Sequence, residues 1–193
     1  TDGKIIMFGK DYREQVKDTY QKIGSIIETP GFYTNLTGQE NLEILARLRR
    51  NVSKESVLHA LEIVGLDKEK KKQFSDYSLG MKQRLGIGIA LIGEPDLLIL
   101  DEPINGLDPQ GIAEIRDTIQ RLQKERNMTI CIASHILEEL SKIATDYGII
   151  HNGSLLQELT RDELMRRCSE RMEITLEHPR QAVPILDSMG FVN

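Results

Sequence analysis

The sequence has only two cysteines among its 193 residues, Cys131 and Cys168, and they stand far apart. Two such residues form no metal-ligand pattern and give no reason to expect an oxidising compartment. Cys131 lies in an apolar run, so we expect it to be a buried thiol. The cysteine count therefore excludes a disulfide-rich secreted domain.

The sequence also lacks a long apolar run and an excess of positive charge. A membrane-spanning helix needs roughly 18 apolar residues, but the longest apolar stretch, near residues 85–100, is interrupted by Gly93, Glu94, Pro95 and Asp96. Lys and Arg number 25 against 30 Asp and Glu, so no general basic surface indicates a nucleic-acid partner. With 39% hydrophobic and 28% charged residues, the composition is typical of a soluble cytoplasmic domain.

Short apolar segments alternate with amphipathic segments, and this alternation predicts the fold class. Strand patterns occupy residues 4–8, 23–27, 97–100, 128–133, 147–151, 154–159 and 173–177, and helix patterns occupy 14–22, 37–48, 53–65, 80–92, 111–126, 136–144 and the segment after Thr160. Thr37 with Glu40, and Thr160 with Glu163, have capping-box spacing, and Asn152-Gly153 predicts a hairpin. Strands that alternate with helices favour a mostly parallel α/β sheet.

The most informative pattern is residues 97–108, Leu-Leu-Ile-Leu-Asp-Glu-Pro-Ile-Asn-Gly-Leu-Asp. An apolar strand carries Asp101 and Glu102 at its end, and a turn then leads to Asp108. Carboxylates in this position can hold a metal and activate water. We predict that Asp101 binds a hydrated Mg²⁺ and that Glu102 polarises an attacking water. For Asp108, a turn with a helix cap explains the pattern equally well.

Two weaker patterns stand before and after this strand. Ser78 and Gly80 precede a buried helix, whose backbone N–H groups could bind an anion, although a plain cap by Ser78 is sufficient to explain them. His135 follows one strand and precedes a helix, where it could hydrogen-bond a γ-phosphate and sense its loss, although a lone histidine is more often structural. The phosphate-binding pattern G-x-x-x-x-G-K-[ST] does not occur in these 193 residues.

Four motifs in this order resemble the nucleotide-binding domain of ABC transporters, and bacterial exporter ATPases of the bacitracin or lantibiotic-resistance type in particular. They are Tyr-Ser-Leu-Gly-Met-Lys-Gln-Arg, Leu-Leu-Ile-Leu-Asp-Glu-Pro, Asn-Gly-Leu-Asp and Ala-Ser-His. The resemblance covers roughly residues 1–165. It implies a P-loop NTPase-like, mostly parallel sheet with a small helical subdomain, lacking the first strand and phosphate loop.

The resemblance also implies four segments along the chain. Residues 1–27 would be the N-terminal remnant of the ATPase core, and residues 28–80 the helical subdomain with a Gln-type loop and the signature motif. Residues 81–168 would be the catalytic core with the Walker B strand, the D-loop and the switch histidine. Residues 169–193 would be a C-terminal extension of unknown role.

Roles for single residues follow from the same resemblance. Ser78 and Gly80 belong to the signature motif, which contacts the γ-phosphate of an ATP molecule held by a second subunit. Asp101 is the Walker B aspartate, which binds Mg²⁺ through water. Glu102 is the general base or water-positioning residue.

Three further positions and the partners are implied in the same way. Asp108 lies in the loop that crosses the dimer interface, His135 is the switch histidine, and Glu28 stands where the family usually has Gln. The cofactors would be ATP and Mg²⁺. The partners would be a transmembrane permease and a second, head-to-tail copy of the chain, at the cytoplasmic face of the membrane.

The chain departs from the family pattern in the signature and at its start. The signature reads Tyr-Ser-Leu-Gly-Met instead of Leu-Ser-Gly-Gly-Gln, but it keeps the Ser and Gly that meet phosphate, and Glu28 adds a negative charge near phosphate. The family's first strand, adenine-stacking aromatic and phosphate loop precede the segment that matches residues 1–4. We therefore expect this chain to be a piece of a longer protein, inactive by itself, whose parent binds and hydrolyses ATP.

Three functions remain open from the sequence. The first is the ATPase of a membrane exporter, which would contact its membrane partner through residues 28–48, with Phe32, Tyr33 and Leu36 as candidate contacts. The second is an ABC-type ATPase not tied to transport, acting on DNA repair or the ribosome. Against it, the interval of about fifty residues between Glu28 and Tyr77 leaves no room for a long coiled coil, and no second cassette or basic linker is evident. The third is a non-catalytic binding fragment of such an ATPase.

Overall fold

The computed structural model describes residues 3–14, 16–27, 31–49 and 53–168. The strands are β1 (Ile6–Met7), β2 (Lys10–Asp11), β3 (Ile23–Ile27), β4 (Leu97–Asp101), β5 (Thr129–Ala133), β6 (Asp146–His151) and β7 (Ser154–Thr160). The helices are α1 (Val16–Gln21), α2 (Gly38–Ala46), α3 (Lys54–Ile63), α4 (Leu79–Leu91), α5 (Pro109–Arg126), α6 (Leu137–Leu140) and α7 (Arg161–Arg167). The strand predicted at residues 173–177 lies outside the described residues.

A three-stranded parallel sheet in the order β3-β4-β5 confirms the predicted α/β class. The strands pair in register, so Ile27, Asp101 and Ala133 are neighbours at the carboxyl edge of the sheet. The remaining strands form antiparallel pairs, β1 with β2 and β6 with β7. Asn152 (φ 48°) and Gly153 (φ 77°) connect β6 to β7 with the two positive φ angles that a type I′ hairpin requires.

The two faces of the parallel sheet differ in burial because side chains alternate along each strand. Leu98 and Leu100 of the central strand are completely buried and belong to the main hydrophobic core. On the opposite face Ile27 is 76% exposed. Cys131 shares that second face with Ser25 and Ile99 and is exposed. The expectation of a buried thiol was therefore wrong, because Ile130 and Ile132 are the residues of this edge strand that pack against the core.

Helix α4 lies in the core, as its nearly continuous apolar pattern predicts. Strand β3 approaches this helix so closely that a Cβ atom at Gly24 would lie 2.2 Å from the carbonyl oxygen of Ala90. Only glycine fits there, so Gly24 permits the contact between the sheet and the helix that carries the signature motif at its start.

The predicted helix caps are confirmed. The backbone N–H of Glu40 donates to Thr37 Oγ1 at 3.2 Å, and the Glu40 carboxylate accepts from the backbone N–H of Thr37 at 2.8 Å. These hydrogen bonds, the backbone one most of all, lower the pKa of the Glu40 carboxyl from its ordinary value of 4.5. Thr160 and Glu163 form the same reciprocal pair at the start of α7, so α2 and α7 both begin with a complete capping box.

Two predictions about helices were wrong in detail. The pattern at residues 136–144 gives only the four-residue α6. Leu48, predicted to be on the apolar stripe of α2, is 80% exposed because the helix ends at Ala46. The polar side chain of Asn41 is completely buried on this helix instead.

The chain divides into two compact units, the first ending at Ile143 and the second beginning at Ala144. The first unit holds the parallel sheet, and the second holds the β6–β7 hairpin and α7. The four predicted segments remain a prediction. No helix in the described part of the chain is long and apolar enough to cross a membrane.

Candidate functional site

The candidate site lies at the carboxyl edge of the parallel sheet. Asp101 is the last residue of the central strand β4, and Glu102 follows it. The neighbouring strand β5 ends at Ala133, two residues before His135. Because parallel neighbours present their carboxyl ends at one edge, the sheet brings these residues together. The backbone N–H of Glu102 extends the pairing by donating to the carbonyl of Ala133 at 2.9 Å.

Glu102 and His135 are in direct contact. Oε1 of Glu102 lies 2.8 Å from Nδ1 of His135 and also accepts a hydrogen bond from the backbone N–H of His135 at 3.1 Å. An ionised carboxylate only accepts, so this contact places a proton on Nδ1. The His135 side chain is 66% exposed, against 27% for Glu102. The predicted general base and the predicted switch residue are thus one hydrogen-bonded pair, which the sequence did not predict.

The second oxygen of Glu102 is buried and has no hydrogen-bond partner among the described residues. A buried, unpaired carboxylate oxygen is costly unless water or another donor reaches it. Glu102 also has φ 47°, a left-handed conformation that is uncommon for a residue with a side chain. Backbone strain of this kind is concentrated at functional sites, and a free acceptor is the feature that a water-positioning residue needs.

The predicted signature residues lie at the start of α4. Ser78 is the N-cap, and its Oγ accepts from the backbone N–H of Met81 at 3.3 Å. Gly80 is buried, and a Cβ atom placed on it would lie 3.5 Å from the Cα of Gly111. This small separation brings the first turns of α4 and α5 together.

Asp108 is the N-cap of α5. Its Oδ1 accepts from the backbone N–H of Gly111 at 3.0 Å, so the turn-and-cap interpretation is confirmed. The loop before it also faces the signature, since a Cβ atom on Gly106 would lie 3.6 Å from a methyl group of Leu79. Two capped helix N-termini therefore lie side by side, and N-termini of this kind favour anions.

The structure leaves two predicted ligands without a test. Glu28 lies outside the described residues, although Ile27 immediately before it pairs with Asp101. Asp101 is half-buried at the sheet edge. In the part of the chain that the structure describes, no three His, Cys, Asp or Glu side chains cluster to hold a metal ion. Because Mg²⁺ at phosphate sites takes only one or two carboxylates, the metal role of Asp101 remains a prediction.

Two polar residues that hold elements of the first unit in place were missed from the sequence. Arg84 of α4 donates to the carbonyls of Val64 and Gly65 at 3.1 Å each and forms an ion pair of 3.0 Å with Glu114 of α5. It therefore joins the end of α3 to α5. The sequence signal that could have identified Arg84 was its position at the end of the motif Tyr-Ser-Leu-Gly-Met-Lys-Gln-Arg.

Asn41 is the second missed residue. Its Oδ1 accepts from the backbone N–H of Tyr33 at 2.8 Å, and its Nδ2 donates to the carbonyls of Tyr33 and Thr37 at 3.0 Å each. The buried amide thus fixes the loop before α2. Tyr33 in that loop is 56% exposed, whereas Phe32 packs against Phe74 with ring centroids 4.6 Å apart.

Comparisons with known proteins agree with the motifs. The family model described as ABC transporter matches residues 1–105. The bacitracin transport ATP-binding protein BcrA of Enterococcus faecalis is 55% identical over 97% of this chain and 61% of its own length. The lantibiotic transport ATP-binding protein SrtF of Streptococcus pyogenes is 45% identical over 82% of this chain and 67% of its own length. The chain thus spans about three fifths of the length of the first relative.

A solved structure supports the fold. The dimeric structure of a post-hydrolysis state of the ATP-binding cassette MJ0796, bound to ADP and Pi, superimposes with a TM-score of 0.70. It is 20% identical, and the superposition covers 83% of this chain and 74% of that chain. At this identity the likeness concerns the fold, which is that of an ATP-binding cassette.

Proposed function

The chain belongs to the ABC transporter family of ATP-binding proteins, and we propose from that premise that the intact protein hydrolyses ATP to drive export through a membrane permease. The observation that carries the proposal is the Glu102–His135 pair at the carboxyl edge of the sheet. In it, one oxygen of a carboxylate is held by His135, and the other oxygen has no partner in the part of the chain that the structure describes.

The roles of the two residues follow from this geometry. Oε1 of Glu102 is fixed by His135, and Oε2, which is buried in this structure, would accept a hydrogen bond from the attacking water and orient it once a water is admitted beside it. With the Nδ1–H of His135 donated to Glu102, Nε2 can donate to a phosphate oxygen only when the ring carries a second proton, as the imidazolium. Positioning of water and stabilisation of charge are the main contributions that a protein makes to phosphoryl transfer.

ATP and Mg²⁺ fit the residues at this edge. Asp101 is the last residue of β4 and offers one carboxylate, a suitable ligand for a metal that keeps several of its waters. The metal would supply charge neutralisation on the phosphates when bound. The capped N-termini of α4 and α5 offer backbone N–H groups to phosphate.

A second copy of the chain is the proposed partner for the signature side. Ser78 and Gly80 lie beside the loop of residues 105–108, and together they form a surface suited to an ATP molecule held by another subunit. The dimeric state of the ATP-binding cassette MJ0796 supports this arrangement.

A permease is the proposed partner for the loop before α2. Of the three contacts predicted there, Tyr33 is the exposed aromatic residue, at 56%, and its backbone is held rigidly by Asn41. The relatives are named for bacitracin and lantibiotic transport. We infer peptide antibiotics as the substrate class and the cytoplasmic face of the membrane as the location.

Replacement of Glu102 by Gln in the intact protein tests the proposal. The amide keeps the size of the side chain but loses the charge that orients water. We expect kcat for ATP hydrolysis to fall by about 10²-fold or more, with ATP affinity within a few-fold of wild type. Glu125→Gln, a matched change at an exposed position of α5, is the control and should hydrolyse ATP normally. Wild-type turnover in the Glu102→Gln variant would contradict the proposal.

A further inference from the structure

Tyr77 immediately precedes the signature serine and is buried, with 4% of its surface exposed. Burial, and secondarily the negative charge of Glu69, raises the pKa of its hydroxyl, so the group is a neutral hydrogen-bond donor at physiological pH. The resemblance noted above has Leu at this position, which would fill apolar space without a hydroxyl. A buried tyrosine therefore needs an explanation beyond packing.

The Tyr77 hydroxyl hydrogen-bonds a backbone carbonyl and lies against Gly38. Tyr77 Oη donates to the backbone carbonyl of Glu69 at 3.0 Å. A Cβ atom at Gly38 would lie 2.2 Å from the same Oη. Gly38, the first residue of α2, therefore leaves room for this hydroxyl, and the hydrogen bond is built into the start of the helix.

The segment that Tyr77 binds also caps α2. The backbone N–H of Gly38 donates to the carbonyl of Lys72 at 3.3 Å, and that of Gln39 donates to the carbonyl of Lys70 at 3.0 Å. A helix N-terminus has unpaired N–H groups that need such acceptors. Residues 69–72 are thus held to α2 by two backbone hydrogen bonds and to the signature by the Tyr77 hydroxyl.

The loop that carries Tyr33 joins the same unit from the other side. Phe74 packs between Phe32 and Tyr77, with ring centroids at 4.6 Å and 5.8 Å. The backbone N–H groups of Phe74 and Ser75 donate to carbonyls of the loop, those of Leu36 at 2.8 Å and Thr34 at 3.1 Å. An exposed surface loop and a buried tyrosine next to Ser78 therefore belong to one packed, hydrogen-bonded cluster.

We propose that Tyr77 is a positioning residue that fixes Ser78 to residues 69–72 and to the start of α2, so that movement of the Tyr33 loop shifts the signature serine. The proposal rests on the proposed function, because it gives the permease-facing loop a physical route to the ATP site. The route consists of discrete contacts, so single substitutions can break it and the coupling between the two ends can be measured.

Amide hydrogen exchange on the intact protein tests this coupling without any need for ATP turnover. Tyr77→Phe removes the hydrogen bond and keeps the ring. We expect exchange to rise about fivefold at the amides of Gly38, Gln39 and Met81 together, because the first two bond residues 69–72 and the third bonds Ser78 Oγ. The control is Tyr147→Phe, which removes another tyrosine hydrogen bond to a backbone carbonyl, that of Ala144 at 3.4 Å, and should leave these three amides unchanged. Faster exchange at Gly38 and Gln39 with no change at Met81 would overturn the proposal.

A double-mutant cycle with Gly38→Ala gives a second readout. The methyl group added by Gly38→Ala would lie 2.2 Å from Tyr77 Oη and 2.9 Å from the ring carbon that carries it. Tyr77→Phe removes the nearer atom and so relieves part of the clash. Gly38→Ala should therefore accelerate amide exchange at Met81 less in the Tyr77→Phe background than in the wild type. This partial rescue requires the two residues to act through one contact. Equal effects of Gly38→Ala in both backgrounds would contradict it.

Steady-state kinetics of the intact protein with its permease complete the test. Tyr77→Phe should lower the permease-stimulated kcat about fivefold and leave KM for ATP within twofold, because Ser78 would be misplaced and the ATP-holding half would be intact. Unchanged kcat in this variant would overturn the positioning role. If the wild-type complex shows no ATP turnover, the proposed function fails and the exchange result alone decides the role of Tyr77.

Discussion

Glu102 combines three features that are rarely found in one residue. Its backbone is left-handed, one carboxylate oxygen is held by His135, and the other is buried without a partner among the described residues. The pairing of β4 with β5 helps to hold this conformation, because the backbone N–H of Glu102 donates to the carbonyl of Ala133. The strain and the unpaired oxygen are both explained if the residue orients a water for attack on phosphate.

Arg84 is the residue whose loss should most weaken the junction between α3, α4 and α5. The side chain is 13% exposed and binds two carbonyls as well as Glu114. We expect Arg84→Ala to lower the free energy of unfolding by about 2–3 kcal/mol, since hydrogen bonds to a charged group are lost and the carbonyls are left unpaired. Denaturant unfolding of the intact protein measures this change.

Arg47→Ala is the matched control for this prediction. Arg47 is exposed, so its truncation should change the free energy of unfolding by no more than about 0.5 kcal/mol. Equal stability of the Arg84 and Arg47 variants would mean that the Arg84 contacts do not hold the junction together.

At single residues, the sequence predicts what depends on near neighbours and misses what depends on distant ones. The caps by Thr37, Ser78 and Asp108 were predictable because cap and helix are adjacent in the chain. The Glu102–His135 contact spans 33 positions and requires the register of two strands. The hydroxyl of Tyr77 could not be given a partner until Glu69 and Gly38 were placed.

Among the elements, α4 has the most influence on the site. It carries Ser78 and Gly80 at its start and packs against β3 through the close approach of Gly24 to Ala90. The backbone carbonyl of Ala90 cannot move aside as a side chain could. The position of α4 on the sheet therefore requires glycine, which has no Cβ, at residue 24.

Gly24→Ala should therefore destabilise the protein strongly. Its Cβ would lie 2.2 Å from Ala90 O, and we expect a loss of about 3 kcal/mol, seen as a fall in Tm of roughly 6–12 °C. The control is Gly31→Ala, where an added Cβ meets no atom of the described residues within 4 Å, so Tm should change little. Similar Tm values for the two variants would contradict the packing of α4 against β3.

The elements themselves were largely predictable, and the exceptions have physical causes. Strands β3, β4 and β5 and helices α4 and α5 have strong periodicity and were correctly predicted. The helix predicted over residues 136–144 forms only over Leu137–Leu140, and Ile136 before it provides no side-chain cap. Cys131 is exposed because alternate side chains of the edge strand β5 face away from the core. A continuous apolar sequence does not indicate which of its residues lie on the exposed face.

At the scale of the whole molecule, the proposed site residues form two separate groups, each a proposed half of the site. The carboxyl edge of the sheet presents Asp101, Glu102 and His135, and the joined N-termini of α4 and α5 present Ser78 and Asp108. A head-to-tail pair of subunits would bring the first half of one copy against the second half of the other. If a two-fold axis relates the copies, the interface is isologous, because each copy's first half meets the other copy's second half and two equivalent sites form.

ATP-driven dimerisation of the intact protein, measured by sedimentation velocity, tests this shared site most directly. The background is Glu102→Gln, in which bound ATP should persist. Adding Ser78→Asp to this background keeps a good helix cap but places a carboxylate where it would repel the γ-phosphate of ATP. The control adds Ser53→Asp, the same substitution at the N-cap of α3. With Mg²⁺ and ATP, we expect a dimer for the Ser53 variant and an ATP-bound monomer for the Ser78 variant. Equal association states of the two variants would contradict the account.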